Sequence, residues 1–275
     1  TLNFNPDWRF IRDDPAGAER VAFDDTAWLA VSAPHTYNDI DTFDNWSPSG
    51  HRGEMDQWGG RTWYRKMFTV PAEWRENRVI IEFEAVRQVA EVYLNGRFIG
   101  RSQNGFVPFG FDLTDHLVPG EEQVLAVMCD NSFAIDDEDV RLGGKKGADV
   151  DYSALAHNEG AGKAFSWNNP HWHPAHGGMY RNVHLHVKNP AHFTLPLYRA
   201  LGTVGSYSYA TDISRTRATA HLDAEVINTA GSEKTLRVHT RWVDHTGRVA
   251  AEMKSGPQRV APGAKAVFEL RAPIL

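Results

Sequence analysis

The feature that most constrains this chain is the two-residue alternation of apolar and polar side chains. In "AEVYLNGRFIGR" (90–101), Asn95-Gly96 separates two such runs. Asn and Gly readily adopt the positive φ angles that both central residues of a type I′ turn require, so the segment predicts a β-hairpin. The segment "EEQVLAVMCDN" (121–131) is apolar on both faces, which predicts a strand buried deep between two sheets.

Similar alternation recurs along most of the chain, and no segment shows a three-turn apolar stripe with the helical period. Many short strands separated by Gly, Pro and Asn turns are typical of β-sandwiches, so we expect an all-β protein. In "RNVHLHVKN" (181–189), the apolar side chains are expected to face inward, with His184 and His186 facing outward.

The pattern changes near residue 190, where four to five shorter strands begin, with tight turns expected at Asp244–Gly247 and Pro262–Gly263. We expect one sandwich over residues 1–189 and an immunoglobulin-like β-sandwich over 190–275. About 85 residues follow the boundary, whereas an immunoglobulin-like domain takes about 100. The second sandwich is therefore expected to lack its last one or two strands.

Composition argues against several classes of partner. The net charge is −6, which disfavours nucleic acid and anionic membranes. No run of 18 apolar residues exists, so we expect no membrane partner. Cys129 is the single cysteine, which rules out an intrachain disulfide and a cysteine-rich zinc site. One cysteine does not identify the cellular compartment.

Two long stretches, 35–62 and 132–178, show no periodicity yet are rich in His, Trp, Asn, Tyr and Gly. Loops of this length in compact domains are usually functional or disordered, and disordered segments tend to lack aromatic residues. We therefore expect two ordered loops that face a ligand. Within 35–62, a set of five polar and aromatic residues could line either a domain interface or a cleft: His35, Asn38, Asp39, Trp46 and Trp58.

Four motifs together resemble the N-terminal half of glycoside hydrolase family 2, the family of β-galactosidases, β-glucuronidases and β-mannosidases. They are "FDDTAWLAVSAPHTYN" (23–38), "GGRTWYRKMFTVP" (59–71), "AEVYLNGRFIGRSQNGFVPFGFDLTDHLVPGEEQVLAVMCDNS" (90–132) and "GGMYRNVHLHV" (177–187). Each is weak alone, but their order and spacing match the family across residues 20–190. The resemblance implies that the first sandwich is a jelly-roll sugar-binding domain. The second half matches the family's immunoglobulin-like domain by position only.

In that family, a (β/α)8 barrel follows these two domains and carries the chemistry. Such a barrel needs about 250 residues, for which this chain has no room. The resemblance implies the non-catalytic N-terminal portion of a retaining glycosidase, with β-galactosidase as the favoured activity of the parent. The expected partners are a β-glycoside carbohydrate and the C-terminal barrel of the same parent chain, with no cofactor. Both chain ends are interpreted as cut from something longer.

Catalytic carboxylates are not expected here. Retaining glycosidases hold two carboxyl groups about 5–5.5 Å apart, and the family takes both from the barrel, the acid/base from an Asn-Glu pair. Asn158-Glu159 is the one such dipeptide, but it stands in a Gly/Ala-rich stretch and is interpreted as an accidental match. The acidic run "DDED" (136–139) is interpreted as solvated charge rather than as a cation site.

The segment "NPHWHPAHGG" (169–178) is the densest group of polar and aromatic residues. Pro170 and Pro174 interrupt its histidines, which do not have the spacing of a zinc motif, so we expect no metal site. In the family, this segment reaches the rim of the barrel's active site. Contact with sugar is favoured over purely structural packing for six residues: Asn168, Asn169, His171, Trp172, His173 and His176.

Other residues favour structural interpretations. Trp63 and Tyr64 are expected in the core, Arg181 in an ion pair, and Gly177-Gly178 in a turn with positive φ. Two alternatives to the enzyme fragment stay open: a stand-alone carbohydrate-binding module, and a scaffold that only orders its neighbours. Homo-oligomerisation is left open as well.

Overall fold

The computed structural model describes residues 1–37, 60–131 and 177–274. The chain divides into two compact units, Thr1–Arg75 with Val79–His186 and Glu76–Arg78 with Val187–Leu275. Strands dominate both units. Across the described ranges, none of the helices is long and apolar enough to cross a membrane.

Among the described residues of the first unit, ten strands build the sandwich, and two short 3-10 helices join some of them. In chain order the strands are β1 (Leu2–Asn3), β2 (Trp8–Ile11), β3 (Leu29–Val31), β4 (Arg61–Thr69), β5 (Arg78–Phe83), β6 (Val89–Leu94), β7 (Arg97–Ser102), β8 (Phe109–Asp112), β9 (Glu122–Asp130) and β10 (Val183–Lys188). The 3-10 helices are Ala72–Glu76 and Thr114–His116. A six-stranded sheet has the order β3-β2-β4-β9-β6-β7, and a four-stranded sheet has the order β1-β10-β5-β8.

The two strongest strand predictions are confirmed. Strands β6 and β7 form an antiparallel hairpin, with φ of 52° at Asn95 and 81° at Gly96. Strand β9 is buried at every position except Glu122. Trp63 and Tyr64 are buried as expected. The core between the sheets is largely aromatic and branched aliphatic, and includes Trp8, Phe10, Tyr64, Ile81, Phe83, Leu125, Val127 and Leu185.

A buried arginine fixes the irregular segment between β2 and β3. Arg65 lies on β4 with its side chain 1% exposed, and its Nε donates to Asp25 Oδ2 at 2.7 Å. Its guanidinium also donates to the carbonyl oxygens of Ala18, at 2.5 Å, and Arg20, at 2.9 Å. Because backbone carbonyls surround the cation, this segment is ordered without regular secondary structure.

The alternation predicted for β10 is correct for Val183 and Leu185, whereas Val187 is only half-buried and His186, expected to face outward, is buried. Val183 and Leu185 are buried in the core. His186 is also buried, because Glu82 and Thr1 cover it on the opposite face of the sheet. His186 Nε2 lies 2.6 Å from Glu82 Oε2, and Nδ1 lies 2.9 Å from Thr1 Oγ1. Alternation identifies the two faces of a strand, but it does not show that the second face is solvated.

Eight strands form the second unit. They are β11 (Ala191–Phe193), β12 (Ser206–Thr211), β13 (Ala218–Asn228), β14 (Lys234–Leu236), β15 (His239–Val243), β16 (Val249–Lys254), β17 (Gln258–Val260) and β18 (Lys265–Ile274), with one short helix, α1 (Tyr198–Leu201). Strand β13 pairs with β11, β12 and β18, whereas β14 pairs with β17 and β15 with β16. The expected turns contain Gly247 and Gly263 with positive φ. The domain boundary at 189 and the absence of later strands stay predictions.

Candidate functional site

The two segments outside the described residues, 38–59 and 132–176, are anchored next to each other in the first unit. The backbone N–H of Tyr37 donates to the carbonyl oxygen of Gly177 at 3.3 Å. The backbone N–H of Asn131 donates to the carbonyl oxygen of Gly60 at 3.1 Å, and Asn131 Oδ1 accepts the N–H of Gly60 at 3.1 Å. The residue before each segment is therefore hydrogen-bonded to the residue after the other segment.

The pairs Tyr37–Gly177 and Gly60–Asn131 are joined through residues 87–88, which follow β5. Arg87 and Gly178 exchange both backbone hydrogen bonds at 3.0 Å. The backbone N–H of Gln88 donates to the carbonyl oxygen of Asp130 at 3.3 Å. One connected set of backbone contacts therefore surrounds this end of the sandwich. We call it the rim, and it comprises residues 35–37, 60–61, 87–88, 130–131 and 177–178.

Two glycines allow the rim to close. Gly178 has the expected positive φ, at 117°, but Gly177 has none, and the two residues form a β-bridge with Arg87 at Gly178 rather than the expected turn. A Cβ atom on Gly178 would lie 2.6 Å from the Tyr64 hydroxyl and 2.7 Å from the His35 carbonyl oxygen. A Cβ atom on Gly177 would lie 1.9 Å from the Tyr37 hydroxyl. These glycines therefore serve close packing of the backbone against two tyrosines.

Neutral polar groups lie beneath the rim. Burial raises the pKa of the Tyr37 and Tyr64 phenols well above their ordinary value. Burial also raises the pKa of the Cys129 thiol. His35 Nδ1 lies 2.8 Å from the Tyr64 hydroxyl, within hydrogen-bonding distance. The phenols and the thiol therefore stay protonated at neutral pH, which suits a structural floor better than a nucleophile or a general base.

The charged groups of the rim are held by neighbouring residues. Arg61 contacts Asp130 Oδ2 at 3.3 Å and Asp14 Oδ2 at 3.2 Å. The guanidinium carbon of Arg87 lies 5.0 Å from the centroid of the Phe106 ring, and burial lowers the pKa of this arginine. Because Asp130 is a buried carboxylate paired with an arginine, its role is structural.

A cavity of about 400 Å3, as formed by the described residues, adjoins the rim. His35, Thr36 and Tyr37 line one part of it, and residues of β2 and β3 line another. Trp28 contributes a mostly buried indole ring. The cavity therefore borders the point at which segment 38–59 begins.

The six residues predicted to contact sugar lie outside the described residues: Asn168, Asn169, His171, Trp172, His173 and His176. Asn158-Glu159 and the acidic run 136–139 also lie there, as do Asn38, Asp39, Trp46 and Trp58. His35 is described and belongs to the rim. Within residues 1–37, 60–131 and 177–274, no three His, Cys, Asp or Glu side chains are placed to hold a metal ion.

Sequence reasoning gave Arg181 an incorrect contact and missed Arg87 of the rim. Arg181 is exposed and lies 5.9 Å from the Tyr180 ring centroid, and it forms no ion pair with any described residue, contrary to expectation. Arg87 was missed because one arginine after a strand makes no pattern. Tyr64 was assigned to the core, and its hydroxyl additionally contacts His35. The one sequence pattern that pointed to the rim was "HTY" at residues 35–37.

Comparisons with known proteins agree with one another. A model of the family described as "Glycosyl hydrolases family 2, sugar binding domain" matches residues 50–190. A β-glucuronidase of Formosa agariphila is 43% identical over 251 residues, which are 91% of this chain and 23% of the relative. A β-galactosidase of Bacteroides ovatus is 28% identical over 266 residues, covering 97% of this chain and 26% of the relative.

Solved structures show the same fold. The structure of a β-glucuronidase from glycoside hydrolase family 2 superposes with a TM-score of 0.83 at 39% identity, covering 99% of this chain and 26% of that chain. A Bacteroides uniformis β-glucuronidase superposes with a TM-score of 0.73 at 25% identity, covering 100% of this chain and 28% of that chain. This chain therefore spans about a quarter of the length of the proteins it matches.

Proposed function

Because this chain belongs to glycoside hydrolase family 2 and contains its N-terminal sugar-binding domain, we propose that it contributes sugar contacts and scaffolding to a retaining β-glycosidase without supplying the chemistry. The observation that carries this proposal is the rim. The described residues that flank segments 38–59 and 132–176 lie there and are hydrogen-bonded to each other, Tyr37 to Gly177 and Asn131 to Gly60. A rigid sandwich with long segments anchored at one end is a common arrangement for binding sites.

Segment 132–176 carries the proposed contact residues. The aromatic ring of Trp172 offers an apolar face to the C–H groups of a pyranose. The asparagines Asn168 and Asn169 and the histidines His171, His173 and His176 offer donors and acceptors for hydroxyl groups. The return of the chain at Gly177 is fixed by Tyr37 and by the contacts of Gly178 with Arg87. Because the chain is fixed at Gly177, close to these side chains, less conformational entropy should be lost when sugar binds.

The sugar class that fits best is a β-glucuronide. The relatives at 43% and 39% identity are β-glucuronidases. A glucuronide carries a carboxylate, which favours cationic and hydrogen-bond-donating surroundings. Between Trp167 and Arg181, the sequence has three histidines and no Asp or Glu.

A β-galactoside, which the sequence resemblance favoured, is the second candidate. It is supported by the β-galactosidase relatives at 32% identity over 192 residues and 28% over 266 residues. A galactoside is uncharged, so its recognition depends on hydroxyl contacts and on stacking of its C–H groups against an aromatic ring. The absence of a carboxylate between Trp167 and Arg181 makes this candidate the weaker one.

Saturation-transfer NMR tests the proposal. The 275-residue chain is mixed with methyl β-glucuronide or methyl β-galactoside at about 1–10 mM, because an open rim is expected to bind with a dissociation constant of about 1 mM or weaker. We expect transfer to the glucuronide and weaker transfer to the galactoside. Trp172→Ala and His171→Ala should remove the signal, whereas His245→Ala, at an exposed turn of the second unit, should leave it unchanged.

Three results would change this assignment. Stronger transfer to the galactoside would replace the sugar class and leave the binding segment in place. Micromolar affinity, lost in Trp172→Ala, would favour a stand-alone carbohydrate-binding module, because an incomplete site does not bury enough of a sugar for such affinity. No transfer to either sugar, with the chain folded, would favour the scaffold alternative.

A further inference from the structure

A carboxylate joins three chain segments below the rim. Glu84 follows β5 directly, and its Oε2 accepts two hydrogen bonds from Asn182, from the backbone N–H at 3.3 Å and from Nδ2 at 3.0 Å. The backbone N–H of Glu84 donates in return to the Asn182 carbonyl oxygen at 3.0 Å. Asn182 Oδ1 accepts the side-chain amide of Asn5 at 2.9 Å, and Asn5 Oδ1 accepts the N–H of Val183 at 2.7 Å. We call Asn5, Glu84 and Asn182 the junction.

Two members of the junction lead along the chain directly to the rim. Glu84 precedes Arg87 by three residues, and Asn182 follows Gly178 by four residues. Four residues of extended chain span no more than about 14 Å. Arg87 and Gly178 also exchange both backbone hydrogen bonds at 3.0 Å. A displacement of either junction residue is therefore expected to reach this part of the rim.

The third member of the junction reaches the rim through the backbone. The carbonyl oxygen of Asn5 accepts the N–H of Ala33 at 2.9 Å. Ala33 stands two residues before His35, whose N–H donates to the carbonyl oxygen of Met179 at 2.8 Å. The junction therefore connects to rim residues 35–37 as well, and it lies below three of the chain segments that compose the rim.

The Glu84 carboxylate is held in the state that accepts hydrogen bonds. Its Oε1 lies 3.0 Å from His184 Nε2. The hydrogen bond with His184, followed by those from Asn182, holds the pKa of Glu84 below its ordinary value. An ionised carboxylate only accepts, so the hydrogen bonds from Asn182 are charge-assisted. Because the Glu84 side chain is 32% exposed, we expect it to contribute more to the position of the rim than to the stability of the fold.

We propose that Glu84 is a positioning residue for sugar binding, which acts through Asn182 and Asn5 on the rim residues that flank segment 132–176. This inference rests on the proposed function. It adds that the affinity for sugar is set in part by a carboxylate below the rim, which does not itself contact the sugar. A hydrogen-bonded network of this kind can change affinity about threefold or more without a ligand contact.

Amide proton–nitrogen correlation NMR of the 275-residue chain tests the effect on the rim without sugar. Glu84→Leu removes both acceptor oxygens from Asn182, so we expect the amide resonances of Tyr37 and Gly178 to shift. Both of these amides donate hydrogen bonds within the rim. Glu84→Gln retains an amide oxygen for Asn182 and should keep the two resonances close to their positions in the parent chain.

Glu82→Leu is the matched control. Glu82 lies two residues earlier on the same face of β5, and its Oε2 lies 2.6 Å from His186 Nε2. The substitution removes the same charge and also breaks a contact with a histidine. We expect it to lower the melting temperature while the amide resonances of Tyr37 and Gly178 stay in place. This result separates loss of stability from displacement of the rim.

Titration with methyl β-glucuronide, followed in the same spectra, measures the effect on affinity. We expect the dissociation constant to rise at least about threefold in Glu84→Leu and in Asn182→Ala, and no further in the double variant, because both changes break the same contact. Glu84→Gln and Glu82→Leu should bind like the parent chain.

Unmoved resonances of Tyr37 and Gly178 in Glu84→Leu would overturn the inference. Affinity equal to that of the parent chain in a variant whose rim resonances move would overturn it as well. If the parent chain binds no sugar, the proposed function is refuted instead, and the rim resonances alone decide whether Glu84 positions the rim.

Discussion

The two units use the same alternating pattern but distribute their stabilising contacts differently. The first unit packs two sheets around a core with several aromatic rings, including Trp8, Tyr64 and Phe83, all fully buried. The second unit has a smaller core in which alanines are frequent and Phe268 is the one fully buried aromatic side chain among its described residues. Large aromatic side chains contribute the most stabilising free energy per residue of a core. We therefore expect the stability of the second unit to depend on fewer residues.

The irregular parts of the two units differ in the same way. In the first unit, a buried arginine holds the irregular segment between β2 and β3, and backbone hydrogen bonds connect the residues of the rim. In the second unit, one carboxylate holds the connection between β11 and β12. Glu225 accepts hydrogen bonds from Thr194 Oγ1 at 2.8 Å and from the N–H of Val204 at 3.0 Å, and lies 3.5 Å from Lys265 Nζ. The comparison therefore predicts where each unit is most sensitive to substitution.

The largest effect is expected for Phe268→Ala. Removing the fully buried ring leaves a cavity in a small core and should lower the free energy of unfolding of the second unit by about 4 kcal/mol. Phe193→Ala, at an exposed ring of the same unit, should cost less than about 0.5 kcal/mol. Urea denaturation followed by circular dichroism measures both. Equal losses for the two variants would show that the core assignment of the second unit is wrong.

Arg65→Ala should destabilise the first unit by about 3 kcal/mol, because it leaves the Asp25 carboxylate and the carbonyls of Ala18 and Arg20 without their donor. The matched control is Arg75→Ala, an exposed arginine of a 3-10 helix, which should be neutral. Hydrogen exchange measured by mass spectrometry should show faster exchange over residues 15–28 in Arg65→Ala. Unchanged protection there would refute the role given to Arg65.

Gly178→Ala tests the rim. The new Cβ atom meets the His35 carbonyl and the Tyr64 hydroxyl at a φ angle that L-residues rarely adopt, so we expect a loss of about 2 kcal/mol from the first unit. Gly231→Ala has no atom within 4 Å of the added methyl and should be neutral. Thermal denaturation compares the two variants. A neutral Gly178→Ala would mean that the rim is not closely packed.

The smallest effect is a pH dependence of the second unit. Burial alone would raise the pKa of Glu225, but hydrogen bonds from Val204 and Thr194 and the charge of Lys265 outweigh it, and the pKa lies below its ordinary value. A lowered pKa in the folded state gives stability that is present above the ordinary pKa of about 4.5 and is lost as the pH falls through the lowered value. Glu225→Gln should cost about 1 kcal/mol at pH 7 and little at low pH.

The matched control for this pH dependence is Glu233→Gln, which changes an exposed carboxylate of the same unit. Its unfolding free energy should follow the parent chain at every pH. Urea denaturation between pH 3 and pH 7 compares the three proteins. A Glu225→Gln deficit that is constant across this range would show that the carboxylate's charge contributes nothing to the connection between β11 and β12.

Sequence reasoning recovered the parts of the fold that local geometry determines. The hairpin at Asn95-Gly96 and the buried strand β9 follow from residue preferences over a few positions. The burial of His186 did not follow, because it depends on Glu82 and Thr1, which are distant in sequence. The rim was not predictable for the same reason. Its four anchor points, residues 37, 60, 131 and 177, meet only through long-range backbone pairing.

The candidate site was likewise not predictable from local sequence patterns. A family resemblance suggested the six residues from Asn168 to His176 as sugar contacts, and those residues stay a prediction. Local pattern gave no indication of Arg87, because a single arginine after a strand has no distinctive spacing. Tyr64 was predicted only as a core residue and Tyr37 was not predicted, since nothing in the sequence shows that Gly178 would approach Tyr64.

The central claim is that this chain holds sugar-contacting segments at its rim and supplies no chemistry. The most direct measurement is hydrolysis of nitrophenyl β-glucuronide and nitrophenyl β-galactoside by the 275-residue chain. We predict no release of nitrophenol above buffer, because retaining hydrolysis needs two carboxyl groups held about 5–5.5 Å apart and no such pair is assigned here. Release well above buffer that disappears in Glu159→Gln would contradict the claim and make segment 132–176 an active site.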